Sequence, residues 1–428
     1  SKFGADHKWG TFPGASIGWR LNNEEFMKDL TWLDNLKVRA GFGITGINVG
    51  SPYNSLASLN YGGYFLYNGA WINQLYPARN ENPNLRWEKK YEYNVGVDFD
   101  MFGGRLGGAI DFYMRDTKDG LWDYSVSVPP YQYGSIMANV AEIRNIGLEV
   151  LINAIPVQTK DFEWSTNLSY STNKNELKSI SNDEFSMSTD WFTTGHTGEP
   201  IQTTTHRVKV GCPIGDFYGL KSVGLTTDGK WLVERFDENG KKFYDYANNA
   251  TEADWQILGN GVPTHYLNFN NTLRYKNWDL TIGMRGAFGF QILNFQEMYY
   301  ANPTIQYNVL NSAFDTHPTY EIVDGGYGIK RASKDVTISD SQRYVSEYVE
   351  DGDYWKIDNV TLGYTFNTKT WKYVKNLRLY ASCLNLATIT GYKGLDPEVR
   401  MTGLDAGTDS RDKYPTNRSF TFGVNVTF

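Results

Sequence analysis

The sequence predicts an all-β protein, a transmembrane antiparallel β-barrel to which this chain contributes about eleven long strands. Three observations predict it. The chain ends on Phe420-Thr-Phe-Gly-Val-Asn-Val-Thr-Phe428, where Phe420, Phe422, Val424, Val426 and Phe428 alternate with small or polar residues. Alternating segments of about 9 to 14 residues recur along the chain, the length a tilted strand needs to cross a hydrocarbon core. The links between them alternate between tight turns and long connections, as in outer-membrane barrels.

The first alternating segment places Ala15, Ile17 and Trp19 against Ser16, Gly18 and Arg20. Leu36, Val38, Ala40 and Phe42 then oppose Lys37, Arg39 and Gly41, and Tyr93, Val95, Val97 and Phe99 oppose Asn94, Gly96, Asp98 and Asp100. Leu106, Ile110, Phe112 and Met114 oppose Asp111, Tyr113 and Arg115. A segment begins near Asn145. Phe162, Trp164, Leu168 and Tyr170 follow, then Leu267, Phe269, Leu273 and Tyr275, and further segments begin near Trp278, Trp355 and Leu377. Phe102-Gly-Gly-Arg105, Val157 to Asp161 and Lys276-Asn277 read as tight turns. The link from Asn22 to Asn35 holds a short helical stretch, and the link from Asn367 to Asn376 carries Trp371 and Tyr373. The long connections run over about 47–88, 118–142, 176–262, 293–352 and 389–415.

Charges choose between the two faces. Asp98, Asp100, Asp111, Arg115, Arg274 and Arg285 all fall on the polar side of long segments. Arg or Lys facing lipid near the midplane costs roughly 2–4 kcal/mol. The expected arrangement therefore turns Trp19, Phe99, Phe112 and Phe422 to lipid and Asp98, Asp111 and Arg285 to a wet lumen. A water-soluble sandwich would invert this, and periodicity alone does not separate the two. The 30 Tyr, 23 Phe and 13 Trp suit either well-filled β cores or aromatic girdles at membrane interfaces.

Composition and motifs exclude several functions. The net charge is -7 with no dominant basic cluster, so nucleic acid is not an expected partner. Cys212 and Cys383 form no metal-ligand spacing and no disulfide framework. His7, His196, His206, His265 and His317 are scattered and read as surface or loop residues. Metalloprotease, phosphate-loop and dinucleotide motifs are absent, so no enzyme activity, cofactor or metal is expected. The carboxylate pairs Glu24-Glu25 and Asp351/Asp353 lie in links and loops.

The loops carry aromatic residues suited to recognition. The candidates are Tyr61, Tyr64 and Trp71; Trp122, Tyr124, Tyr131 and Tyr133; and Tyr299 and Tyr300. Such residues either pack the loops together and line the girdle, or form a sugar-stacking platform or a contact surface for a partner.

Several runs resemble the SusC/RagA family of TonB-dependent outer-membrane transporters. They are Pro13-Gly-Ala-Ser-Ile-Gly-Trp-Arg20, Asn82-Pro-Asn-Leu-Arg-Trp-Glu88, Gly211-Cys-Pro-Ile-Gly-Asp-Phe-Tyr-Gly219, the stretch from Asp353 to Tyr364, and Leu377 to Leu386 with Gly394-Leu-Asp-Pro-Glu398. The resemblance implies that residues 1–428 are the C-terminal half of a closed barrel of about 22 strands. Its long loops would be extracellular, with the remaining half, plug and N-terminal domains before Ser1. It implies bacterial outer-membrane lipid as surroundings, a SusD-like lipoprotein and TonB as partners, and an imported oligosaccharide. An oligopeptide importer is the near alternative, and a passive structural or adhesive barrel the distant one. The run Phe420 to Phe428 resembles the assembly signal of such barrels. Some relatives carry an acidic calcium-like loop after Phe217-Tyr-Gly219. Here Asp237-Glu-Asn-Gly-Lys-Lys242 has too few carboxylates for one.

Overall fold

The computed structural model describes residues 2–48 and 50–428. Among the described residues, eleven strands form one antiparallel sheet in chain order. They are β1 (Gly14–Arg20), β2 (Leu33–Ile47), β3 (Glu88–Met101), β4 (Leu106–Ser125), β5 (Ser135–Gln158), β6 (Phe162–Ser179), β7 (His265–Tyr275), β8 (Trp278–Phe288), β9 (Tyr354–Thr365), β10 (Asn376–Thr390) and β11 (Ser419–Thr427). β1 and β11 are its edges, and β10 neighbours β11.

Register converts the alternation into two faces. One row across six strands reads Val38, Val97, Ile110, Val150, Tyr170 and Leu267. The adjacent row reads Arg39, Gly96, Asp111, Glu149, Ser171 and Tyr266. Trp19, Phe99, Phe112 and Phe422 share the apolar face, and Asp98, Asp111 and Arg285 the polar one. The apolar face stays exposed: Trp19 is 53% accessible, Phe112 52% and Phe422 81%. A water-soluble fold would cover so large an apolar surface. On the polar face the charges are paired across strands. Arg39 bonds Asp98 at 3.1 Å and Asp111 at 2.5 Å, and Arg378 bonds Asp279.

The sheet has two unlike ends. Turns at 102–105, 159–161 and 276–277 lie at one end, with the short links 21–32 and 366–375. The link from 21 to 32 contains the expected short helical stretch, as 3-10 turns at Leu21–Asn23 and Glu25–Met27. Exposed aromatics gather at this end. Trp32 stacks on Phe102 at 5.9 Å and Trp278 packs on Tyr364 at 4.8 Å, with Phe26, Tyr275, Trp371 and Tyr373 also exposed. That belt is the pattern expected at a membrane interface. Among the described residues no helix is long and apolar enough to cross a membrane.

All the long connections leave from the opposite end, so the turn at Gly103-Gly104 lies across the sheet from the 176–262 connection. Their bounds need correction. The 118–142 stretch is mostly strand, because β4 and β5 continue to a short tip at 126–134. Register shifts between Thr117 and Leu121 break the period-2 pattern while the ladder continues. The other connections span 48–87, 180–264, 289–353 and 391–418.

Candidate functional site

The long connections are not loose. The 180–264 and 289–353 excursions share one hydrophobic core. Phe217, Leu225 and Trp231 from the first pack with Leu293, Met298 and Val345 from the second. Local sequence explains each half. Gly211 and Gly215 take positive φ, 81° and 94°, and turn the chain into a short strand at Asp216–Gly219. That strand lies between His206–Lys209 and Gln256–Asn260. In the second excursion Asn294 caps the helix Phe295–Tyr300 by accepting from the Glu297 N–H, which buries Phe295, Met298 and Tyr299.

The 391–418 excursion is stapled to the same body. Thr408–Asp409 lies parallel to Gln291–Asn294, and Tyr392 donates its hydroxyl to Asp409 at 2.6 Å. His206 Nε2 is 2.8 Å from the carbonyl of Ala406, which can only accept. The proton is therefore on Nε2, and Nδ1 accepts from the Thr205 hydroxyl at 2.7 Å. His206 is a fully buried tie between excursions, not the surface or loop histidine expected from its isolation in sequence. Burial pushes its pKa down to about 4.

Buried asparagines anchor the other loops. Asn80 donates to the carbonyls of Tyr133 and Ser135, and accepts from the N–H groups of Gln132 and Tyr133 at 3.1 Å each. Asn82 donates to Met137 at 2.8 Å, and Asn139 binds both the N–H and the carbonyl of Arg86. Arg86 pairs with Asp119 at 2.6 Å, and Leu85 is buried beside it. The run from Asn82 to Glu88 is thus a clasp between the first long connection and the β4–β5 tip.

The aromatic candidates separate into three groups. Tyr61, Tyr64 and Trp71 sit on a hairpin, Ser58–Tyr67 with Ala70–Arg79, whose strands pair only with each other among the described residues. They are 75%, 70% and 69% accessible. A two-stranded ribbon with exposed apolar faces is marginal in water unless something covers it. Asn68 and Gly69 turn the hairpin with positive φ, and this Asn-Gly between alternating residues is a sequence signal that the connection is a hairpin.

Trp122, Tyr124 and Tyr131 meet in a second cluster around Phe185, with Tyr124 buried, while Tyr133 is exposed outside it. Tyr299 belongs to the core, with its hydroxyl donating to the Thr197 carbonyl at 2.5 Å, while Tyr300 packs edge-on against Tyr307. Tyr124 and Tyr299 are therefore packing residues and offer no accessible platform, because the loops that carry them needed cores of their own. Phe420, Phe422, Val424, Val426 and Phe428 all stand exposed on the apolar side of the last strand and its end.

Two features of this region were not legible as sites. One is a cleft of about 560 Å³ in the cap that the 180–264 and 289–353 excursions build together, lined by Ile201, Leu220, Trp255, Gln342, Arg343 and Tyr344 among others. The other is a buried charge cluster. Lys356 on β9 is 1% accessible and meets Glu398 at 2.5 Å and Asp396 at 3.8 Å, while Arg285 reaches Glu398 at 2.5 Å. Asp237 accepts from the N–H groups of Asn239 and Lys241 and so closes the turn between Trp231–Phe236 and Lys242–Tyr246.

No family model matches the sequence. Curated proteins similar along the whole of this chain include two TonB-dependent receptors. TonB-dependent receptor P3 of Formosa agariphila is 30% identical, and the chain spans 43% of it. TonB-dependent receptor SusC of Bacteroides thetaiotaomicron is also 30% identical, and the chain spans 41% of it. The solved RagAB peptide transporter shares the fold over the whole chain with a TM-score of 0.81 at 20% identity, and the match covers 44% of that longer chain. The chain thus spans less than half the length of the relatives it matches.

Proposed function

We propose that the chain, similar along its whole length to TonB-dependent receptors including SusC, is an outer-membrane β-barrel segment of the SusC/RagA family and the C-terminal half of an importer of oligosaccharide. The observation that carries the reading is the division of the sheet. An exposed apolar face backs a charge-paired polar face, and every long excursion leaves from one end. In lipid the edges β1 and β11 would hold unpaired N–H and C=O groups, so further strands of the whole protein close the barrel to about 22. The polar face lines the lumen, and a plug occupies it. The long connections are extracellular, and the aromatic belt lies at the periplasmic interface. TonB supplies the pull on the plug, and no step of covalent chemistry is required of this chain.

The hairpin from 58 to 79 is the docking element for a SusD-like lipoprotein, since a stable interface buries roughly 1,200–2,000 Å² and Tyr61, Tyr64 and Trp71 offer the exposed apolar surface. Affinity purification of the intact transporter from native membranes is expected to recover the lipoprotein. Replacing Tyr61, Tyr64 and Trp71 with Ser is expected to lose it without lowering barrel abundance. Recovery of the transporter alone, under gentle detergent and with native loops, would remove the partner.

Oligopeptide import is the second reading, supported by the fold shared with the RagAB peptide transporter. Calorimetry of the whole protein with oligosaccharides and with oligopeptides separates the two. Binding of neither would favour a passive barrel.

A further inference from the structure

We propose that the cap cleft is a binding subsite for one hexopyranose unit of a glycan. The proposal rests on the oligosaccharide reading only for the longer chain to which that unit would belong. The cleft is built entirely by the excursions, from residues 200–203, 219–220, 250–255 and 341–344, and no strand of the wall lines it. Its volume of about 560 Å³ falls in the range of small-ligand sites.

The walls are held in place before any ligand arrives. Trp255 packs edge-on against Tyr218 at 5.5 Å. The turn that carries Glu252 is closed by a reciprocal cap between Thr251 and Asp254. Gln342 is tied to the Tyr299 carbonyl and the Tyr307 hydroxyl, and Arg343 to the Ala247 carbonyl and the Asn248 side chain. Tyr344 at the base donates to the Thr205 carbonyl at 3.0 Å.

Two lining groups stay open to a ligand: among the described residues, the exposed side chains of Glu252 and Ser341 make no hydrogen bond within the protein.

The chemistry selects the occupant. One guanidinium and one carboxylate leave the lining without net charge, which disfavours a phosphate or other polyanion. An indole face with Ile201 and Leu220 suits the C–H face of a pyranose, and the donors and acceptors at Glu252, Ser341 and Arg343 suit its hydroxyls. An extended peptide binds by adding to a strand edge. The strand at the cleft, Asp216–Gly219, has a neighbour on each side, and Gly219 itself pairs with Gln256.

The test uses the intact transporter, purified in detergent, with maltose, cellobiose and lactose as probes in saturation-transfer NMR and calorimetry. At least one disaccharide is expected to bind. Trp255→Ala is expected to weaken it about ten-fold, Glu252→Gln several-fold, and Trp371→Ala at the far end of the sheet not at all. Binding by none of the three, or binding unchanged in both Trp255→Ala and the exposed Glu252→Gln, would overturn the subsite. Trp255-dependent disaccharide binding in a protein that imports only peptides would sink the cargo reading and leave the subsite standing. Sugar import with binding unchanged in both variants would do the reverse.

Discussion

Lys356 and Glu398 form an ion pair in which the ammonium, on a wall strand, is almost wholly buried beneath a carboxylate from the last excursion. The pair joins two runs that are 42 residues apart in sequence. It also fastens the 391–418 excursion to the polar face, where Arg285 and Tyr354 reach the same carboxylate.

Removing one partner of a buried pair leaves an uncompensated charge, typically at a cost of about 3–5 kcal/mol. Glu398→Gln strands Lys356 with Asp396 alone at 3.8 Å. It is expected to lower stability by about 3 kcal/mol and to expose the 391–418 excursion to protease. A protection pattern and an unfolding midpoint equal to wild type would show that the pair carries no such weight.

The cap is expected to weaken on acidification through His206. Its folded pKa is lowered from 6.5 to about 4, so between those values the unfolded chain binds the extra proton. The stabilisation is fully present above about 6.5, and falls as pH drops toward 4, by about 3 kcal/mol in all. Cap proteolysis measured from pH 7 to pH 4 should steepen in wild type and flatten in His206→Gln. That comparison separates His206 from Asp216, whose carboxyl burial pushes upward. Equal slopes would assign the acid sensitivity elsewhere.

Charge placed on the two faces should give opposite results. Val95, 54% accessible on the apolar face, is expected to cost roughly 2–4 kcal/mol as Val95→Arg. Thr281→Arg, on the polar face, should cost little. The midpoint of urea unfolding in lipid vesicles measures both. A larger loss for Thr281→Arg would reverse the assignment of lipid and lumen.

Phe428→Ala, or loss of 426–428, is expected to reduce the amount of protein in the outer membrane. Substrate affinity of the inserted fraction should not change. Quantitative blotting of membrane fractions checks this, and normal abundance would count against an assembly role for the terminal strand.

The wall was legible because each of its residues answers to a period of two. Val38 and Arg39 announce their faces without knowledge of their neighbours. The exceptions sit where bulges shift that period, as between Thr117 and Leu121. The cap was not legible, because its core assembles residues far apart in sequence. Trp231 and Val345 belong together only through packing, and Tyr299 looks like Tyr61 until its surroundings are seen. Asn80, Asn82 and Asn139 illustrate the same limit. As sequence they are polar loop residues; in the structure they substitute for backbone partners. Within the candidate site, the hairpin had a local signal in Asn68-Gly69, while the cleft around Trp255 had none.

Those asparagine clasps bear on how such a chain can diversify. Each fastens a loop at one fixed point with bonds to main-chain atoms, which every residue type except proline supplies in full. The segment between two clasps can therefore be lengthened, shortened or rewritten without altering the fastening, and each doubling of loop length costs only about 0.6 kcal/mol. Selection for a new ligand can act on the outward-facing stretch from Leu59 to Tyr76 while Asn80 and Asn82 hold its base. The architecture separates heredity of the scaffold from variation of the surface it displays.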